Sequence, residues 1–458
     1  MAGTNLLFVL ADQWRAGALG VAGADPVHTP VLDRLAAEGA WFTRAVSNYP
    51  VCSPYRAMLM TGQYPHRNGV TSNLSSGAAG LTAPLPTDAV CLSDVLDAAG
   101  YDTAYVGKWH LDLPAPADEH HGEGRRDDGR VWDAYTPPGP RRHGFRRWYS
   151  HGCSDNHLTP HYWVDEAPRE APHRIHQWSA EHETDVACEL LRELGGRAAA
   201  GGDPFAVVMS YNPPHPPFDE VPDRYVARYR DVPELLTRPN VDTTTTEGRQ
   251  AAAVAADYFA AVTGVDEQIG RLLRTLEETG AAGDTLVVFT SDHGMQLGSH
   301  GLLAKNVWYD ESLLVPLVLR LPGRIEPGRR DALVSTPDLP VTVLSLLGLG
   351  DRVPAAMQGR DLADAARSAT APGPGAALYL RMPSTAGPED IRGLRTPERL
   401  LVAARDGTDL RPVHLYDLEA DPYQRTDVLA GRPDEARELL AELRAELERV
   451  QDPWAVPA

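Results

Sequence analysis

Cysteine is scarce in this chain, with four residues (Cys52, Cys91, Cys153 and Cys188) in 458 and no repeated spacing between them. That pattern excludes a disulfide framework and a cysteine-built zinc cluster. Long apolar runs are missing too. No stretch reaches the 18 or more apolar residues of a membrane-spanning helix, and MAGTNLLFVLADQ has neither a basic leader nor a cleavage site, so no signal peptide is expected. Positive charge is in deficit, with 43 Lys and Arg against 63 Asp and Glu, a formal net charge of −20. Nucleic acid would be repelled, and no basic stripe with interleaved aromatics offsets this. An anionic small substrate would need a local cluster of cations. The expectation is a soluble cytoplasmic protein with neither membrane nor nucleic-acid partners.

What is present is a length, with 43% hydrophobic residues, sufficient for one large core and a smaller one. Asn5 to Ala11, Thr103 to Val106, Phe205 to Met209, Thr285 to Thr290 and Val315 to Leu319 read as buried strands. Helical periodicity marks Pro30 to Glu38, Leu92 to Ala99 and Gln250 to Leu276. The alternation predicts an α/β class: a mostly parallel sheet flanked by helices. Residues 112–180 dissolve into Pro, Gly, His, Arg and Trp and read as a long irregular insertion. Its His143, Trp148, His151, His157, His161, Trp163 and Trp178 are candidates to wall a pocket. SATAPGPG, Ser368 to Gly375, reads as a linker between a main domain, 1–368, and a C-terminal subdomain, 369–458. There, three short strand-like runs and the amphipathic stretch Pro433 to Val450 predict a small antiparallel sheet with a packed helix.

In open α/β sheets, ligands bind beyond the carboxyl ends of the strands. Four predicted strands end in groups that can do chemistry: Asp12 and Gln13; Lys108 and His110 in GKWHL; His215 in NPPHPPF; and Asp292 and His293 in SDHG, with Lys305 a loop further on. Each alone reads as a turn, a cap or a solvated charge. Together they collect metal-type ligands and cations suited to an oxyanion. Asp12, Asp292 and His293 form a plausible divalent-metal set. Lys108, Lys305 and Arg56 supply positive charge, and His110 and His215 titrate in a range useful for proton transfer.

Cys52 has its own local signal. Pro54 suits the first turn of a helix, and Gly62 suits its end. The cysteine therefore falls at a helix N-terminus, where negative charge is favoured. Three roles stay open on these grounds: an activated thiolate, the precursor of another nucleophile, or a buried structural cysteine.

Cys52-Ser53-Pro54-Tyr55-Arg56 matches the C-x-P-x-R sequence of the type I sulfatases, and LMTG, Leu59 to Gly62, fits the continuation of that motif. NLLFVLADQ, GKWHL, PPHPPF, SDHGMQLGSHGLLAK and LYDLEADPYQRTDV also resemble segments of that family, in its order and across essentially the whole chain. The resemblance implies an alkaline-phosphatase-like core and a sulfuric ester hydrolase acting on a small carbohydrate or aryl sulfate. It further implies that a formylglycine-generating maturation enzyme oxidises Cys52 to formylglycine, which is hydrated to a diol. One hydroxyl attacks sulfur, and the second then drives elimination of sulfate, avoiding a second difficult substitution.

By the same resemblance, Asp12, Asp292, His293 and the oxygen of residue 52 hold one divalent metal. Arg56 orients residue 52, and His110 is the base for elimination. His215 and Lys305 bind the sulfate and assist the leaving oxygen, Lys108 neutralises developing charge, and Asn73 contacts the sulfate. Gln13 and His293 stand where many members have Asp and Asn. The shell is one charge poorer and one nitrogen richer, which leaves Ca²⁺ by family habit and Mn²⁺ as its competitor. Gln13 is left off the ligand set. Asp-Gln and Asp-His pairs also resemble relatives that hydrolyse phosphonate monoesters and phosphodiesters, the alternative activity. An unmatured anion-binding protein is the third reading.

Overall fold

NLLFVLA forms β1 (Asn5–Ala11), every residue of which is buried. Its side chains alternate between two cores: Leu7 and Val9 enter one, Leu6, Phe8 and Leu10 the other. A strand covered on both faces shows an unbroken apolar run, not alternation. The computed structural model describes residues 3–75, 80–114, 133–384, 387–406 and 409–455. Within them the main sheet also contains β2 (Ala40–Val46), β3 (Asp102–Lys108), β4 (Arg147–His151), β5 (His161–Val164), β6 (His173–Arg174), β7 (Phe205–Ser210), β8 (Thr285–Ser291), β9 (Leu314–Arg320) and β10 (Gly328–Ser335). The order across the sheet is β10-β2-β9-β8-β1-β7-β3-β4-β5-β6. From β8 to β4 the neighbours are all parallel, whereas β9 and β5 run against theirs.

Helices cover both faces. On one lies Thr246–Glu278, started by the Thr245 side chain, which accepts from Gly248 N. Its Ala251, Ala255, Tyr258, Val262, Val265, Ile269, Leu272 and Leu276 recur every three or four residues and make one buried stripe. Cys52–Thr61, Leu92–Ala98 and Asp338–Leu346 cover the opposite face. A second, antiparallel sheet holds β11 (Ala377–Arg381), β12 (Ile391–Arg395), β13 (Arg399–Asp406) and β14 (Asp409–Asp417), backed by the helix Pro433–Arg449. The expected α/β core with a small antiparallel sheet and a C-terminal helix is therefore present. Among the described residues, no helix is long and apolar enough to cross a membrane.

The insertion is less irregular than its composition implied. Residues 115–132 lie outside the described residues, but 133–180 contribute β4, β5 and β6 to the sheet edge. Short strands rich in His, Trp and Arg lack the alternation that would reveal them. Several of its aromatics are buried in ring packing. Trp148 stacks on Tyr105 at 5.3 Å, Trp178 lies 5.5 Å from Tyr225, and Trp163 packs edge-on to Tyr135. His161 pairs with Asp133 at 2.7 Å. β2 and β10 also lacked an apolar run: AWFTRAV is only partly buried, and GRRDALVS is an edge strand carrying charges.

Two features of this frame are testable. Gly107 has φ +99°, and a Cβ there would sit 2.1 Å from Ser210 O. Gly107→Ala is expected to lower stability by roughly 2–4 kcal/mol, read as a shifted urea midpoint. Glu183, in the helix Ser179–Ala199, is fully buried and accepts from the Tyr162 hydroxyl at 2.9 Å. Burial pushes its carboxyl from 4.5 up to about 8, against that hydrogen bond. The folded state then keeps a proton that the unfolded state loses, so this contribution is complete below pH 4.5 and is lost as pH rises to about 8. Urea melts between pH 5 and 8.5 should show Glu183→Gln with a shallower fall in stability than the parent.

Candidate active site

Parallel registers bring the carboxyl ends of the central strands level. Ala11 pairs with Ser291, Leu10 with Ser210, and Ser210 in turn with Gly107. Asp12, Lys108, Ser210, Asp292 and His293 consequently converge, all buried. Cys52 arrives from the first turn of its helix, where Pro54 sacrifices only a donor that has no partner within the helix. The helix ends as its sequence predicts, at Gly62 with φ 63°.

One ligand atom from each of Asp12, Cys52, Asp292 and His293 lies within 4.8 Å of the others. His293 Nε2 is 3.2 Å from Cys52 Sγ, 3.6 Å from Asp12 Oδ1 and 3.5 Å from Asp292 Oδ1. His293 Nδ1 donates to Gly294 O at 3.0 Å, which leaves the Nε2 lone pair to a cation. The carboxylates are held from behind. Asp12 Oδ2 accepts from Lys108 Nζ at 2.7 Å and Arg56 Nη2 at 3.1 Å. Arg56 Nε donates to Asp292 Oδ2 at 3.3 Å, and Gln13 N donates to Asp292 Oδ1 at 3.0 Å. Two carboxylates and an imidazole around residue 52 make a donor set that fits a divalent cation.

The other expected residues surround this cluster. Lys305 Nζ lies 2.7 Å from Gln13 Oε1 and 3.7 Å from Cys52 Sγ. His110 is buried, with Nε2 3.2 Å from Leu74 O. His215 lies on the loop after β7, with its Nδ1 3.1 Å from Asp155 Oδ1. Asn73 stands at the helix start, where its Oδ1 accepts from Ser53 N at 3.1 Å. Gln13, His110 and Asn306 all take positive φ values without being glycine, so backbone strain gathers around the site.

Electrostatics follow from these contacts. Burial and the Asp12 charge push Asp292 up to about 6. Asp12, despite burial, is held well below the carboxylate range by Lys108, His215, Arg56 and His293. Burial and Asp12 oppose ionisation of the Cys52 thiol, but Lys305, Lys108 and His293 draw it well below its ordinary value. Burial pulls His110 below the usual imidazole range, against its hydrogen bond with Cys52. The arrangement suits a nucleophile at residue 52 attacking an anionic ester.

Three neighbours escaped the sequence reading. Ser210 Oγ accepts from Arg56 Nη1 at 2.8 Å, Asn212 Oδ1 accepts from Lys108 Nζ at 2.9 Å, and Asp155 meets His215. The strand-end rule that nominated Asp12 and Lys108 applies equally to Ser210 and Asn212. Asp155 lies in the insertion and carries no such signal. Arg56 is the cation shared by both buried carboxylates, so Arg56→Met should cost about 3–5 kcal/mol in a urea melt of the metal-free protein.

The family model for sulfatases matches residues 4–349, and one for the C-terminal part of N-sulphoglucosamine sulphohydrolase matches residues 298–453. An endo-4-O-sulfatase of Bacteroides thetaiotaomicron is 37% identical, over 98% of this chain and 93% of its own. An ulvan-active sulfatase of Formosa agariphila is 34% identical, over 97% of this chain and 80% of its own. A solved Bacteroides fragilis structure described as a sulfatase superposes with a TM-score of 0.91 at 35% identity, covering 99% and 97% of the two chains.

Proposed function

The chain belongs to the type I sulfatase family of the alkaline phosphatase superfamily and is a sulfatase, and on that premise we propose that it hydrolyses carbohydrate sulfate esters through a formylglycine made from Cys52. The observation that carries this is the meeting of Cys52, Asp12, Asp292 and His293 within 4.8 Å, ringed by Arg56, Lys108 and Lys305. The names of the relatives, an endo-4-O-sulfatase and an ulvan-active sulfatase, support a carbohydrate substrate. A formylglycine-generating enzyme is the maturation partner.

Asp12, Asp292 and His293, with residue 52, would hold the divalent metal, Ca²⁺ or Mn²⁺. When bound, it supplies positive charge beside the attacking oxygen. The protein's own groups do the rest. Arg56 fixes both carboxylates and keeps residue 52 at the strand ends. Lys305, next to residue 52, binds a sulfuryl oxygen, and Lys108 balances charge accumulating on the transferring group. Asn73 borders the same space. His215 protonates the departing alcohol. His110, depressed towards the neutral imidazole, then takes the proton of the second hydroxyl of residue 52 as the C–O bond to sulfate breaks.

Mass spectrometry of the tryptic peptide Ala45 to Arg56, from protein made beside a maturation enzyme, should show aldehyde or hydrate in place of the thiol. That protein should turn over a sulfated glycan and 4-nitrophenyl sulfate, lose activity to EDTA and regain it with Ca²⁺ or Mn²⁺. An intact thiol would overturn the mechanism. A preference for aryl phosphonate over the matched sulfate would replace the substrate class.

A further inference from the structure

His215 is fixed by groups outside its own loop. Its Nδ1 lies 2.8 Å from Pro216 O and 3.1 Å from Asp155 Oδ1. Both partners only accept, so Nδ1 carries a hydrogen and Nε2 is the nitrogen left for substrate. The His215 carbonyl is tied separately, 2.8 Å from His157 Nε2. Asp155 is itself anchored. Asn212 Nδ2 reaches its Oδ1 at 3.4 Å and donates to Ser154 O at 2.9 Å. Through its other side-chain atom Asn212 holds Lys108 Nζ at 2.9 Å, and Lys108 rests on Asp12 at 2.7 Å. A continuous polar chain thus joins Asp155 to the carboxylate beside the nucleophile. The Asp155 side chain is 35% exposed and that of His215 14%, so the pair stands at the rim of the site.

We propose that Asp155 is a positioning residue that holds His215 as the acid for the departing alcohol; this rests on the sulfatase reading. In the step concerned, sulfur gains a bond to the ionised oxygen of residue 52 and loses its bond to the ester oxygen. The electron pair of the broken bond stays on the ester oxygen, which takes the proton from His215 Nε2 and leaves as a neutral alcohol. The ring becomes neutral with its Nδ1–H still on Asp155. Before transfer, the carboxylate offsets the ring's positive charge and fixes which nitrogen faces the substrate, as a carboxylate does for other catalytic imidazoles.

The role makes Asp155 selective for leaving group. A sugar alcohol is a poor leaving group without a proton, whereas 4-nitrophenolate departs unaided. Asp155→Asn should cut kcat about 100-fold on phenyl sulfate and on a sulfated glycan that the parent turns over. KM should change little, and the loss on 4-nitrophenyl sulfate should stay within about threefold, giving a steeper leaving-group dependence across aryl sulfates. Asp155→Glu, which restores the carboxylate, should recover much of the loss, and melting temperatures report folding of both variants. An equal loss on every leaving group, or a rise confined to KM, would overturn the proposal. A parent enzyme with oxidised residue 52 and no turnover of any sulfate ester would overturn the sulfatase reading beneath it, and the assignment of Asp155 with it.

Discussion

Two carboxylates forced together in a dry interior require a cation, and Arg56 is the cation that the fold supplies from within. Its guanidinium touches Asp12 after β1 and Asp292 after β8, and its remaining nitrogen bonds Lys108 O at the end of β3 and Ser210 at the end of β7. Four adjacent strand ends are thereby tied to the helix that begins with Cys52. A guanidinium suits this post because its planar donors reach several acceptors without reorganisation. The same contact that stabilises the strand ends keeps residue 52 in register with the metal-type ligands. Placing Arg56 one helical turn after Cys52 makes the proposed nucleophile and its support a single rigid unit.

That unit is also held from the far side. Tyr49, Val51, Met58 and Tyr64 pack with Leu378, Leu380, Leu394 and Leu401 of the second sheet. The Asn48 side-chain N–H₂ donates to Leu378 O, and its backbone carbonyl accepts from Leu380 N. The small sheet, remote in sequence, is therefore the backing of the helix that begins with Cys52. Rigid support on both sides is what a preorganised site requires, since errors of an ångström in the nucleophile cost large factors in rate.

Much of this was legible in the chain because one geometric rule governs it. Apolar runs such as NLLFVLA and TLVVFT cross the sheet, and the polar residue after each run emerges on one edge. Asp12, Lys108, Asp292 and His293 were found that way, whereas the helix signals left Cys52 open until its C-x-P-x-R resemblance was weighed. Ser210 and Asn212 obeyed the same rule but are uncharged, so nothing in their chemistry singled them out. β4 and β5 were hidden because their burial comes from aromatic and histidine side chains in short segments without a readable period, and β6 is only two exposed residues. Asp155 depends on that concealed region for its position. A residue whose proposed role is to hold another side chain leaves no local trace in sequence.

Gln13 shows how one neutral group sets the charge of the whole site. An aspartate there would partly cancel Lys305, whose ammonium instead meets the amide oxygen at 2.7 Å. Asp12 and Asp292 are already matched by Arg56 and Lys108, so Lys305 stands as unbalanced positive charge 3.7 Å from Cys52 Sγ. On a chain of net charge −20, that local surplus is what an approaching sulfate ester meets inside the site. The acidic surface acts through water and salt, which screen it within about 10 Å. Lys305 is only half-buried, but it acts at close range, where less water intervenes and the same charge counts for more.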